Sequence, residues 1–226
     1  METLADKGNG NYAYIDNITE ARKTLVNEFG GTLFTVAKDV KLQVEFNPAK
    51  VQAYRLLGYE NRMLAKEDFN DDKKDAGDMG SGHTVTAFYE IVPAGIKDDY
   101  SVSVDPLKYQ KNEEQVMANS SAEMMTIKFR YKEPVSSKSK MSLVTVTDSP
   151  KPFAATSTDF KFASAVAEFG MVLRDSKFKQ GASYAHAIAT ARAGKGDDAE
   201  GYRSEFIRLA ESAKLMGKNA IAKLDE

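Results

Sequence analysis

Five aspartates crowd the stretch DFNDDKKDAGDMGSG, at Asp68, Asp71, Asp72, Asp75 and Asp78. Closely spaced carboxylates suit calcium, which takes roughly six to eight oxygen ligands, and Asp68, Asp71 and Asp75 are the candidate ligands. The order departs from an EF-hand loop: Lys73 stands between Asp71 and Asp75 where a ligand belongs, and no glycine or distal glutamate falls in register. Lys73 and Lys74 also offset part of the negative charge. The competing reading is a solvated connection between two strands.

His83, next to Gly82, is one of two histidines and a formal candidate for acid–base work. A general base needs a nucleophile or an orienting carboxylate within hydrogen-bond reach. Asp78 is near in sequence, but there is no Gly-x-Ser-x-Gly order, so a structural histidine is expected. His186 has Thr190 at i+4 and no metal-ligand spacing. Glu60 and Arg62 share a strand face and read as an ion pair or a polar binding surface. Arg203 and Glu205 read as the solvated flank of a helix. GKGDD at 194–198 and DMGSG at 78–82 lack the phosphate-loop order and read as flexible turns. PVSSKSK at 134–140 reads as an exposed hairpin tip.

These residues must be positioned by elements of two kinds. Asn17, with Glu20 three residues on, opens a helix carrying Ile18, Ala21, Leu25 and Phe29, with Gly30-Gly31 as its end. The period then changes to two. Val36, Val40, Leu42, Val44 and Phe46 make one strand, and after the Asn47-Pro48 turn signal Val51 to Leu57 makes the next. Further strands are predicted at 85–91, 100–104, 123–131 and 141–147, with only loops between them, which suggests an antiparallel sandwich. After Pro150 and Pro152, three helices follow. The first spans 159–174 with Thr158 as cap, the second spans 183–192, and the third carries Tyr202, Phe206, Leu209, Ala213 and Met216.

Composition narrows the classes. A formal net charge of −2, with cations and anions interspersed, leaves no basic footprint for nucleic acid. The absence of cysteine removes disulfides and thiolate chemistry. No apolar run approaches the ~20 residues of a bilayer span, and no secretory signal opens the sequence. The direct entry into an amphipathic pattern is expected of a piece cut from a longer protein, so these absences do not place it in a compartment.

The segments YRLLGYENR at 54–62 and GHTVTAFYE at 82–90, with the opening LADKGNGNYAYID, carry a family resemblance. So do GGTLFTVAKDVKLQVEFNP at 30–48, FASAVAEFGMVLRDS at 162–176 and YRSEFIRLAESA at 202–213. Together they resemble the region that follows the von Willebrand factor type A domain in bacterial proteins of the YfbK type. The resemblance implies that residues 1–30 are the last strand and helix of a truncated type A domain. The rest would be an appended domain without a known activity. Type A domains carry a metal-ion-dependent adhesion site of Asp-x-Ser-x-Ser type. That site is not carried over, so divalent metal is expected only for the missing domain and no cofactor for this fragment. The resemblance also implies a bacterial cell-envelope protein, often exported or lipid-anchored.

The expectation is therefore an α+β chain: a type A remnant at 1–30, a β-sandwich-like domain at 31–150, and about three helices at 151–226 packed on it. The leading function is a non-enzymatic interaction or scaffold domain with an unidentified protein partner. The alternative is a small-ligand module for calcium or carbohydrate, with Tyr54, Tyr59 and Tyr109 as possible stacking rings.

Overall fold

The computed structural model describes residues 4–5, 8, 12–59, 63–97 and 121–222. The predicted strand at 100–104, the pair Glu60 and Arg62, and Tyr109 lie outside these residues. The chain divides into two compact units: residues 1–52, 62–85 and 93–148 form the first, and 53–61, 86–92 and 149–226 the second. The α+β class and the antiparallel pairing hold. The six described strands form one sheet of four and one of two.

In the first unit α1 (Ile18–Arg22) opens as its sequence demands, with the Asn17 carboxamide oxygen accepting from Glu20 N at 2.9 Å. A π-helical turn (Lys23–Asn27) and α2 (Phe29–Leu33) continue it. The helical path thus crosses Gly30-Gly31 instead of ending there, and Gly31 is the one of the two that serves packing. A Cβ on Gly31 would stand 2.9 Å from His83 Nε2, and one on Gly80 would overlap the Gly31 carbonyl. Backbone meets backbone at this point, and Ser81 N donates to Phe34 O at 2.8 Å.

Four antiparallel strands follow in the order β3-β1-β5-β6: β1 (Thr35–Phe46), β3 (Gly77–Gly80), β5 (Glu123–Lys132) and β6 (Ser139–Thr147). Alternation sorts their side chains. Leu42, Val44 and Phe46 lie opposite Phe129, Ile127 and Met125 on one face, with Val144 and Val146 beyond them. Lys41, Gln43 and Glu45 lie opposite Arg130, Lys128 and Thr126 on the other. A register shift between Lys38 and Lys41 interrupts the ladder. Asp39 sits in it at φ +48, the left-handed region that Asp tolerates better than most residues. The turn between β5 and β6 is exposed, as its sequence suggests, although β6 begins at Ser139 within PVSSKSK.

The second unit holds most of the two-stranded sheet, β2 (Val51–Leu57) with β4 (Phe88–Pro93), and three helices: α3 (Thr158–Leu173), α4 (Tyr184–Ala193) and α5 (Tyr202–Ala222). Residues 85–87 precede β4 instead of belonging to it. The caps show hydroxyl chemistry. Ser157, not Thr158, accepts from Phe160 N at 3.1 Å, and Ser183 accepts from His186 N at 3.2 Å. Small residues let the helices approach: Ala165, Ala191 and Ala210 are buried with Ile188 and Ile207, and Phe162, Phe169 and Phe206 seal the cluster. The ring of Phe206 meets Phe162 and Phe169 edge-on, each at 5.4 Å.

The close approach of Gly80 to Gly31 can be tested with two alanines. Gly80→Ala is expected to cost about 3 kcal/mol or more in urea unfolding, since rigid backbone must give way. Gly30→Ala, with open space around its Cβ position inside a helix, is expected to stabilise by about 0.5 kcal/mol.

Candidate functional site

The aspartate-rich connection lies on the polar face of the four-stranded sheet, and β3 at its end adds an edge strand. A short 3-10 turn, Glu67–Phe69, packs on β1 and buries Phe69. Lys41 is the centre. Its side chain is almost wholly removed from solvent, with the residue 4% exposed. Its ammonium donates to the carbonyls of Asp68 at 3.1 Å and Asp71 at 2.6 Å. Next to it Arg130 donates to Asn70 Oδ1 at 3.3 Å and Asp72 Oδ1 at 3.0 Å, and Ser139 Oγ donates to the same Asp72 oxygen at 2.6 Å. Lys132 pairs with Asp39 and donates to the Asp72 carbonyl at 2.7 Å. The bulge lets Asp39 face the connection in two ways: its Oδ1 accepts from Ala76 N at 3.1 Å, and its own N–H donates to Asp78 Oδ1 at 3.1 Å.

Each calcium candidate is therefore turned toward groups of the protein. Asp68 pairs with Lys74 at 3.0 Å, and Asp71 accepts from Lys73 N at 2.8 Å. Asp75 adjoins Asp39. Among the described residues no group of three or more His, Cys, Asp or Glu side chains is arranged to hold a metal ion. Titration differs sharply across the cluster. The Ser139 hydroxyl, then Arg130, hold the Asp72 carboxyl down at about 2. Burial, then the adjoining Asp39, push Asp75 up. Burial works to raise Asp39 as well, but Lys132 and the Ala76 N–H outweigh it and leave Asp39 lowered.

The histidines fare differently. His83 donates its backbone N–H to Gly80 O at 3.1 Å, and among the described residues no hydrogen bond joins it to Asp78. His186 does have a carboxylate partner that sequence reading missed: Nδ1 lies 2.9 and 2.8 Å from the two oxygens of Glu168 on α3, which also accepts from Ser183 N. Their separation in sequence hides the pair, because it forms only when α3 and α4 pack. Arg203 corrects the solvated-flank expectation. It donates to Gly194 O at 2.8 Å, pairs with Asp159 and lies 5.0 Å over the Phe162 ring. GKGDD is likewise a built cap: Asp198 accepts from the backbone N–H groups of Arg203 and Ser204 at 2.9 and 2.8 Å. Of the tyrosines offered for stacking, Tyr54 is exposed, and Tyr59 spends its hydroxyl on Thr86 O at 3.0 Å. The Asp-x-Ser-x-Ser order of the adhesion site that was not carried over does occur in the sequence, at Asp99, Ser101 and Ser103, outside the described residues, which corrects the expectation that the signature is missing.

Fold and site define an α+β chain whose acidic connection is locked onto a sheet by charge. No helix among the described residues is long and apolar enough to cross a membrane. A family model described as "Uncharacterized protein YfbK, C-terminal" matches residues 31–216, and the chain belongs to that family. It is 43% identical over 213 residues to "Uncharacterized protein YfbK" of Escherichia coli (strain K12). The match covers 94% of this chain and 36% of that relative. No solved structure matches the chain.

The charge cluster has a signed pH dependence. The folded Asp72 carboxyl titrates at about 2, below the ~4 of an unfolded aspartate. Its contribution is therefore present above about pH 4 and is lost as pH falls through that window. Asp75 has the opposite sign: its folded value is raised, so ionising it at neutral pH opposes folding. Urea unfolding at neutral pH should show Asp72→Asn destabilised and Asp75→Asn unchanged or more stable. The Asp72→Asn deficit should vanish near pH 2.

Proposed function

We propose that the chain is a non-enzymatic interaction module that accompanies a type A adhesion domain in a bacterial cell-envelope protein. The observation that carries this reading is the apolar surface of the N-terminal helical stretch. Ile18 is 84% exposed and Val26 66%, and Leu25 and Phe29 are also open. Contiguous exposed apolar side chains of this kind mark surfaces that another body covers. The residues involved lie before residue 31, where the family match begins, and the chain spans 36% of the length of its curated relative. An adjoining type A domain would bury this stretch as part of its own core. Any divalent metal would belong to that domain, and export or lipid anchoring to the whole protein.

The apolar face of the sheet supports the same reading. Leu42 and Val144 are more than half exposed there, and a second layer over that face would complete the sandwich expected from the sequence. Protein recognition on such a face needs no reactive group, and Lys41 and Arg130 of the opposite face are engaged in holding the acidic connection.

The test compares this chain with a longer one that includes the preceding residues of its own protein. Ile18→Glu and Val26→Glu are each expected to cost less than about 0.5 kcal/mol here, where the sites are open, and at least about 2 kcal/mol in the longer chain. Equally small costs in both would remove the adjoining domain from the reading. A rise in melting temperature with calcium in this chain would favour the small-ligand alternative instead.

A further inference from the structure

Within the second unit an open cavity of about 340 Å³ lies between the end of β2 and the loop after α3. Arg55, Leu56, Arg174, Ser176, Lys177 and Phe178 line it, and no carboxylate is among its described lining residues. From this charge pattern we propose that the cavity binds a small oxyanion, a phosphate or carboxylate group carried on an apolar body.

Its inner wall is preorganised. Arg55 pairs with Glu90, donates to Phe178 O at 3.4 Å and lies 4.3 Å over the Phe178 ring. The guanidinium is thus held in one orientation before any ligand arrives, which lowers the ordering cost of binding. Lys177 is the adaptable cation. Its side chain is exposed, and its ammonium lies 4.9 Å from the same ring. That ammonium can swing from the ring face to an incoming oxygen without breaking an ion pair. The neighbouring Asp175 is taken by Lys179 and does not compete for it. Leu56 and the ring of Phe178 offer apolar wall beside the cations, so an anion carried on an apolar body satisfies both parts of the lining.

The backbone turns sharply beside the lining. The chain turns through the left-handed region on both rims, at Gly58 (φ +79) and Tyr59 (φ +61) on one side and Asp175 (φ +50) on the other. At Asp175 this is the turn that ends α3, with Ser176 N donating to Met171 O at 2.9 Å. None of the lining residues belongs to the four-stranded sheet or the N-terminal helical stretch, so the inference stands apart from the docking reading.

The experiment titrates the 226-residue chain with phenyl phosphate, benzoate and inorganic phosphate, following the amide resonances of residues 174–178. Saturable shifts with phenyl phosphate or benzoate are expected. Inorganic phosphate alone tells whether the oxyanion suffices or the apolar body is needed. Lys177→Glu should weaken binding by about tenfold, the scale of one charge-assisted hydrogen bond, with an unchanged melting temperature. Lys138→Glu, an equal charge change on the turn between β5 and β6, should leave binding unchanged. Shifts that do not saturate, equal losses in both variants, or binding of an acidic peptide but none of the three probes would overturn the proposal.

Discussion

An ammonium group inside a protein must have its hydrogen bonds answered, and Lys41 obliges the first unit to answer them. Two carbonyls of the aspartate-rich connection do so, at Asp68 and Asp71. Leaving a buried cation without partners costs several kcal/mol. The connection therefore cannot lift off the sheet without exposing or orphaning Lys41. Once it is held there, its carboxylates face a basic row, and Asp72 falls to Arg130 and Ser139. Asp39 meets Lys132 and the Ala76 N–H because the bulge turns it outward from the ladder. Phe69 provides the apolar part of the attachment. The strand that follows, β3, starts from a fixed point, which lets this four-residue strand pair with β1.

This arrangement gives the two sheet faces separate tasks. The polar face is taken up by internal pairing: Arg130 holds Asp72 and Lys132 holds Asp39, while Asp68 pairs with Lys74 of the connection itself. The other face keeps Leu42, Val44, Ile127, Phe129 and Val144 in a continuous apolar row, with the tilted rings of Phe129 and Tyr131 5.2 Å apart. A domain built this way presents shape and apolar area outward while its ionic groups stabilise it from within.

Strand positions were legible where alternation is clean. MTIKFRY alternates apolar and cationic residues and is the strand whose two faces the structure separates most clearly. Ser157 and Ser183 cap helices within one residue of the expected starts. What escaped the sequence depends on contacts between distant residues. The left-handed Asp39 has no local signature. β3 is hidden in a glycine- and aspartate-rich stretch that reads as loop, because its pairing comes from β1 and not from its own propensity. Gly30-Gly31 carries the signature of a helix end, but the helical path continues through it and Gly31 serves a close backbone approach to Gly80. Glu168 with His186, and Arg203 with Asp159, join only when the helices have packed. The five aspartates were legible as a cluster, and their destination was not. Opposite charges across a sheet cannot be matched from spacing along one segment.

The account stands or falls on Lys41 as the fastener of the acidic connection. Amide hydrogen exchange of Lys41→Met, which keeps the stem and removes the charge, tests this directly. The account predicts faster exchange confined to residues 67–80 and their partners on β1, with the helices of the second unit exchanging as before. Unchanged protection of residues 67–80 in that variant would contradict it.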